Sequence, residues 1–232
     1  MPELSIAQKF AVWTIPVLFA ITVHETAHGW VARYFGDHTA SMLGRLTLNP
    51  LKHIDPIGTI LVPALMMLLT GFIFGWAKPV PVISRNLHNP RRDMVYVAAA
   101  GPFANLLMAI FWALVLKLGF VLLPDSQWIG LPLLLAGGAG VWINLILMTL
   151  NLLPLPPLDG GRILSGLLPP EANRIFERIE PYGFLILIVL LVTGALGMLL
   201  SPLLQSTLNA IATVLAIPDL MIVINFLLAG GK

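Results

Sequence analysis

The chain has 232 residues, 58% of them hydrophobic and only 10% charged, with a mean hydropathy of +0.91. Soluble domains carry about 25% charged residues, so this composition excludes an ordinary soluble domain and marks an integral membrane protein. The formal net charge of +2 lies in short loops between apolar runs, which fits the Lys/Arg excess of cytoplasmic loops and not a nucleic-acid surface, and the absence of cysteine excludes disulfides and thiolate metal ligands.

A helix of about 20 apolar residues crosses a bilayer. Five stretches reach that length, at about 8–32, 94–120, 132–153, 182–201 and 205–228. The first follows Met1-Pro2-Glu3-Leu4, which has no basic region, so it reads as a retained span and not a cleaved signal peptide. Within it lies His24-Glu25-Thr26-Ala27-His28. Residues four apart share a helix face, so both imidazoles can reach one ion. A catalytic zinc site needs a third ligand and an open position for water, and the glutamate of such a motif is placed to act as general base. Phe10 to Val23 carry no charge, and ionisable groups in such surroundings are costly and functional by default.

Next comes 36–55, where Thr39 to Pro50 shows partial alternation and Gly/Asn-Pro punctuation that predict short strands or a hairpin. The apolar run 57–76 is interrupted by Gly58, Pro63, Gly71 and Gly75, and residues 77–85 are expected to be extended around Pro79 and Pro81. The expectation is one integral membrane domain over 1–232, with a catalytic core at about 8–165 and C-terminal helices at about 166–232. The expected fold is an all-α polytopic membrane protein with about five to six transmembrane helices, a small membrane-associated β-hairpin or sheet, and a re-entrant segment at 57–76.

The stretch Asn151 to Arg162 places Pro154, Pro156 and Pro157 where a regular helix cannot continue. A backbone break at membrane depth is tolerated only inside protein or beside a wet cavity. The break delivers Asp159, followed by Gly160 and Gly161, which allow a close turn. Alone, Asp159 reads as a turn or cap residue. Beside a membrane-embedded H-E-x-x-H it reads as the third ligand. His28 and Asp159 must then lie on one side of the membrane, which requires an even number of crossings between them. The spans at 94–120 and 132–153 supply two, so 57–76 should dip in and return. Under this topology Arg33, Arg45, Lys52, Lys78, Arg85, Arg91, Arg92, Arg162, Arg174, Arg178 and Lys232 share one side, with only Lys9 and Lys117 near the other. The crowded side is expected to be cytoplasmic, in a plasma or inner membrane, with the active site opening toward it.

These motifs resemble those of the site-2 protease family, intramembrane zinc metalloproteases that combine H-E-x-x-H in one span with L-D-G in a later one. Here they are His24 to His28 and Leu158-Asp159-Gly160, and Ala98 to Asn105 also resembles a family motif. The resemblance implies that His24, His28 and Asp159 bind Zn²⁺, that Glu25 is the base, and that the extended pieces at 39–48 and 77–84 form a small sheet beside the site. It implies a catalytic role for Asn105, stabilising the oxyanion or orienting substrate; hydrogen bonding to a neighbouring helix is the alternative. Within 1–232 no PDZ or CBS domain of the kind longer members carry is expected. The implied partners are a transmembrane protein or peptide substrate and the lipid bilayer, with no nucleic acid. A zinc transporter is a competing reading, but the ligands concentrate at one level. A zinc-binding scaffold would not need Glu25, and a membrane zincin acting on prenylated peptides would be expected to use glutamate as third ligand.

Overall fold

The computed structural model describes residues 4–53, 55, 58, 61 and 78–229. Helix α1 (Ile6–Tyr34) starts at a capping box, in which Ser5 Oγ accepts from Gln8 N–H and Gln8 Oε1 accepts from Ser5 N–H. These contacts satisfy two donors that a helix start otherwise leaves unpaired. A short helix α2 (Thr39–Met42) follows, then long helices α3 (Pro90–Leu122) and α4 (Gln127–Asn151). Five shorter or C-terminal helices complete the described chain: α5 (Asp159–Leu167), α6 (Pro170–Glu177), α7 (Gly183–Val192), α8 (Ala195–Val214) and α9 (Leu220–Leu228). Single 3₁₀ turns lie at Pro50–Lys52, Ser84–Asn86 and Glu180–Tyr182.

The regular elements among the described residues are all helices, which bears out the all-α part of the expected fold, but two finer expectations are corrected. Among the described residues four helices, and not five to six, are long and apolar enough to cross a membrane: α1, α3, α4 and α8. The predicted spans at 182–201 and 205–228 are cut differently. Gly194 adopts φ +76°, with its N–H on Leu191 O, and ends α7 inside the first of them. Such a left-handed glycine is a common helix stop that hydropathy does not register. Leu215 and Ala216 (φ +50°) then end α8 within the second.

The second correction is that no strand occurs among the described residues. Residues 39–42 are helical. Residues 78–83 run without helix, yet their amides bind side chains and a loop carbonyl instead of a neighbouring strand. The run 57–76 lies outside the described residues except for Gly58 and Leu61. Helix α1 ends and α3 begins at the same end of the bundle.

That shared end follows from antiparallel packing. Along the seam of α1 and α3, Ala20 meets Asn105 and His28 meets Val97. Along α3 and α4, glycines bring the two backbones together. A Cβ on Gly137 would lie 2.6 Å from Leu116 Cβ, and one on Gly140 would lie 2.7 Å from Trp112 Cβ. Lipid offers no hydrophobic gain for helix association, so such close packing of small residues drives it instead. Leu116, Leu134, Leu145, Leu208, Leu220 and Ile224 fill the core between α3, α4, α8 and α9. The C-terminal ends of α1 and α4 therefore lie together, on the side where α5 begins.

Candidate metal centre

His24 and His28 sit one turn apart on α1, and both are buried. Asp159 is the first residue of α5 and is also buried. The proline break after α4 brings it back, through Pro154 and a cis Pro156–Pro157 peptide. The two glycines after it serve a different purpose from the expected turn, because both are helical. A Cβ on Gly160 would meet Leu152 C at 2.5 Å, and one on Gly161 would meet Pro156 N at 2.5 Å. They let α5 lie directly on the broken backbone.

Three ligand atoms converge as a result. His24 Nε2 and His28 Nε2 are 3.1 Å apart, and each is 3.2 Å from Asp159 Oδ2. The far side of each ring decides what these atoms are. His28 Nδ1 lies 2.7 Å from the Val97 carbonyl, which can only accept, so Nδ1 carries the proton. His24 Nδ1 lies 2.6 Å from Asn105 Oδ1. The Asn105 amide is oriented by its other bonds, since Nδ2 donates to Ala20 O and to Asn144 Oδ1. His24 Nδ1 therefore also donates. In the neutral rings both Nε2 atoms then present lone pairs toward the carboxylate. Asp159 Oδ2 itself is buried and accepts no hydrogen bond. Three converging electron pairs repel one another unless a cation lies among them.

Two imidazoles and one carboxylate make a zinc-type donor set, and tetrahedral bonds of about 2.0–2.1 Å put ligand atoms roughly 3.3 Å apart. The observed edges of 3.1–3.2 Å fit that ion. His24, His28 and Asp159 are the metal-competent group found among the described residues. The rings are also oriented as zinc-binding imidazoles usually are, each with its remote N–H on an acceptor.

Glu25 is half-buried on the next face of α1, where Oε2 accepts from Val80 N–H at 2.7 Å. Asn105, expected to touch substrate or the oxyanion, is fully buried between His24, Ala20 and Asn144. Its oxygen and amide nitrogen are engaged with helix neighbours, as the alternative reading anticipated. Asn144 continues this network by donating to Gly140 O.

Gly101 lies against the site, in the Ala98 to Asn105 stretch. A Cβ there would lie 2.5 Å from His24 Cε1 and 2.6 Å from His28 Cε1, so only glycine leaves room for the pair. Its place four residues before Asn105 in the Gly101 to Asn105 stretch was the available signal. The Val97 carbonyl and the Val80 amide left none, because any residue type supplies them. An open cavity of about 440 Å³ flanks α5 between Arg91, Arg162, Phe176 and Glu180, and none of the three ligands lines it.

Comparison with known proteins points to a zinc enzyme. The model of the family described as Peptidase family M50 matches residues 132–194, a region that contains Asp159. YwhC from Bacillus subtilis (strain 168) is 44% identical over 200 residues, covering 83% of this chain and 85% of that protein. Rip2 from Mycolicibacterium smegmatis is 34% identical over 181 residues, covering 78% of this chain and 66% of the relative. Rip2 from Mycobacterium tuberculosis (H37Rv) is 31% identical over 180 residues, with the same coverage of 78% and 66%. Each of these relatives is named as a candidate zinc metalloprotease. No solved structure matches the chain. With membrane-spanning helices around a two-histidine, one-aspartate centre and relatives of this similarity and coverage, the chain belongs to peptidase family M50, the site-2 protease family.

Proposed function

We propose that His24, His28 and Asp159 hold the zinc ion and that Glu25 is the general base for hydrolysis of peptide bonds within or near transmembrane segments of protein substrates. Family membership makes the chain an intramembrane zinc metalloprotease; the residue roles and the choice of bond are the further step. The observation that carries them is the convergence of three buried ligand atoms one residue away from a half-buried glutamate.

Bound zinc polarises a scissile carbonyl and lowers the pKa of an adjacent water toward about 7. Glu25 Oε2 is occupied by the Val80 amide, and among the described residues Oε1 has no hydrogen-bond partner. We assign to it the proton of the attacking water, which Glu25 then delivers to the leaving amine. Asn105 acts through His24, holding the ring's tautomer and direction, and is a positioning residue. The helices confine the reaction to the bilayer, and the whole chain works as one domain.

Charge supports an active site opening toward the cytoplasm. Arg33, Arg91 and Arg92 lie at the end shared by α1 and α3, and Arg91 donates to Gly166 O of α5 there. Lys117 is near the opposite end of α3, with its ammonium on Leu215 O at the end of α8. An excess of Lys and Arg marks the cytoplasmic side.

The test is cleavage of a transmembrane reporter peptide by the purified protein and by Glu25→Gln, with zinc measured in both. Glu25→Gln should retain zinc and lose about 10²–10⁴-fold in kcat. Equal cleavage by the two proteins would remove Glu25 from the chemistry. A transporter reading instead expects zinc flux into sealed vesicles that survives Glu25→Gln.

A further inference from the structure

The segment 78–83 leaves α1 and α3 as a short extended piece that pairs with no strand among the described residues. Pro79 and Pro81 have no N–H and hold φ near −65°, so the amides at Lys78 and Val80 are presented two residues apart on a stiff backbone. Lys78 N–H donates to His53 O at 2.9 Å, and Lys78 O accepts from Arg45 Nη2 at 2.9 Å. Val80 N–H donates to Glu25 Oε2 at 2.7 Å. Ile83 N–H donates to Asp37 Oδ2 at 2.6 Å.

Both anchors are buried. Asp37 is 1% exposed, and its other oxygen accepts from Thr39 N–H, the Thr39 hydroxyl and Asn86 Nδ2. His53 is 2% exposed, and its Nε2 lies 2.9 Å from Thr47 O, which also accepts from Thr26 Oγ1 of α1. The Val80 side chain is packed onto α1 one turn beyond Glu25, where a Cβ on Gly29 would lie 2.9 Å from Val80 Cγ1. The segment is thus held at both ends and pressed against the helix that carries the glutamate.

From this geometry we infer that the 78–83 segment is the positioning device of the general base, with the Val80 amide fixing Glu25 Oε2 so that Oε1 is aimed at the water. This rests on the reading of Glu25 as the base. A glutamate side chain left free would sample several rotamers, and ordering a long side chain carries an entropic cost. The charge-assisted bond to a pre-placed amide removes that freedom before substrate arrives. The prolines serve the same end, since they stop the segment from folding into a helix or exchanging its hydrogen bonds.

The experiment replaces the Val80 amide by an ester, introducing the α-hydroxy acid of valine at position 80 of the full chain, which removes the N–H and keeps the side chain. Cleavage of the transmembrane reporter peptide is measured alongside wild type and Glu25→Gln, with zinc content and thermal midpoint recorded. The expected result is a fall in kcat of about 10–100-fold, of the size a misplaced reacting group causes, with KM and zinc content unchanged. Wild-type kcat in the ester protein overturns the inference, and so does a fall that comes with lost zinc or a matching rise in KM, because the segment would then serve fold or substrate binding. Should the ester protein fail to accumulate, Val80→Pro removes the same donor, and the same outcomes decide. Full cleavage by Glu25→Gln would instead sink the base assignment itself, whatever happens at Val80.

Discussion

Asn105 Oδ1 accepts the Nδ1 proton of His24 across the seam of α1 and α3, at 2.6 Å. This bond sets which nitrogen of His24 faces Asp159, so a fully buried side chain orients a candidate metal ligand. Asn105→Ala should weaken zinc binding by about 10–100-fold, the usual cost of losing such an orienting partner. Asn105→Asp, which restores an acceptor for His24, should lie closer to wild type. Competition with a chromophoric chelator measures both, and equal affinity for Asn105→Ala and wild type would refute the role.

Gly101 should tolerate no side chain. Its Cβ would come within 2.6 Å of ring carbons on both histidines. Gly101→Ala must either displace the imidazoles or part α1 from α3, a form of overpacking that costs about 1–3 kcal/mol. The expected outcome is a lower thermal midpoint together with substoichiometric zinc. A fully loaded, active Gly101→Ala protein would contradict the geometry.

Removing zinc should abolish cleavage and destabilise the helix bundle. An ion bound only by the native state stabilises it by about 2.7 kcal/mol at a free concentration of 100 Kd. Treatment with a strong chelator should lower the thermal midpoint, and Zn²⁺ should restore it. Mg²⁺ should not, since it favours oxygen ligands in octahedral array. His28→Ala should show no response to chelator.

Asp37 should confer an acid-side dependence on stability. Burial pushes its carboxyl up, but hydrogen bonds from Thr39, Ile83 and Asn86 outweigh that and hold it below the ordinary value. A depressed folded value means that the stabilisation is complete above the unfolded value of about 3.9 and is lost as pH falls through the folded one. Thermal midpoints measured from pH 6 downward should drop below about pH 4. Asp37→Asn should start lower at neutral pH and lose that component of the drop; an unchanged acid profile would remove Asp37 as its source.

Much of the site was legible in the linear chain because its chemistry is carried by rare residues in costly surroundings. His24, Glu25 and His28 stand out after the uncharged stretch Phe10 to Val23, and Asp159 stands out after three prolines. The even crossing count between His28 and Asp159 agrees with the antiparallel order of α1, α3 and α4. The C-terminal spans were misplaced because apolar composition continues through Gly194, whose φ of +76° ends a helix without lowering hydropathy. The expected sheet failed at 78–83 because its amides at Lys78, Val80 and Ile83 are taken by His53 O, Glu25 and Asp37 and not by a second strand.

The sequence by itself determined what depends on residue type and local spacing: a membrane protein, the candidate ligands and base, and the break before Asp159. Only the tertiary structure decided which atom of each group does what. The Val97 carbonyl and Asn105 set the histidine tautomers, Gly101 clears the space for them, and the Val80 amide holds Glu25. The carbonyl of Val97 and the amide of Val80 belong to the backbone, which is the same for nearly every residue type. Their effect exists only when distant segments meet at hydrogen-bond distance.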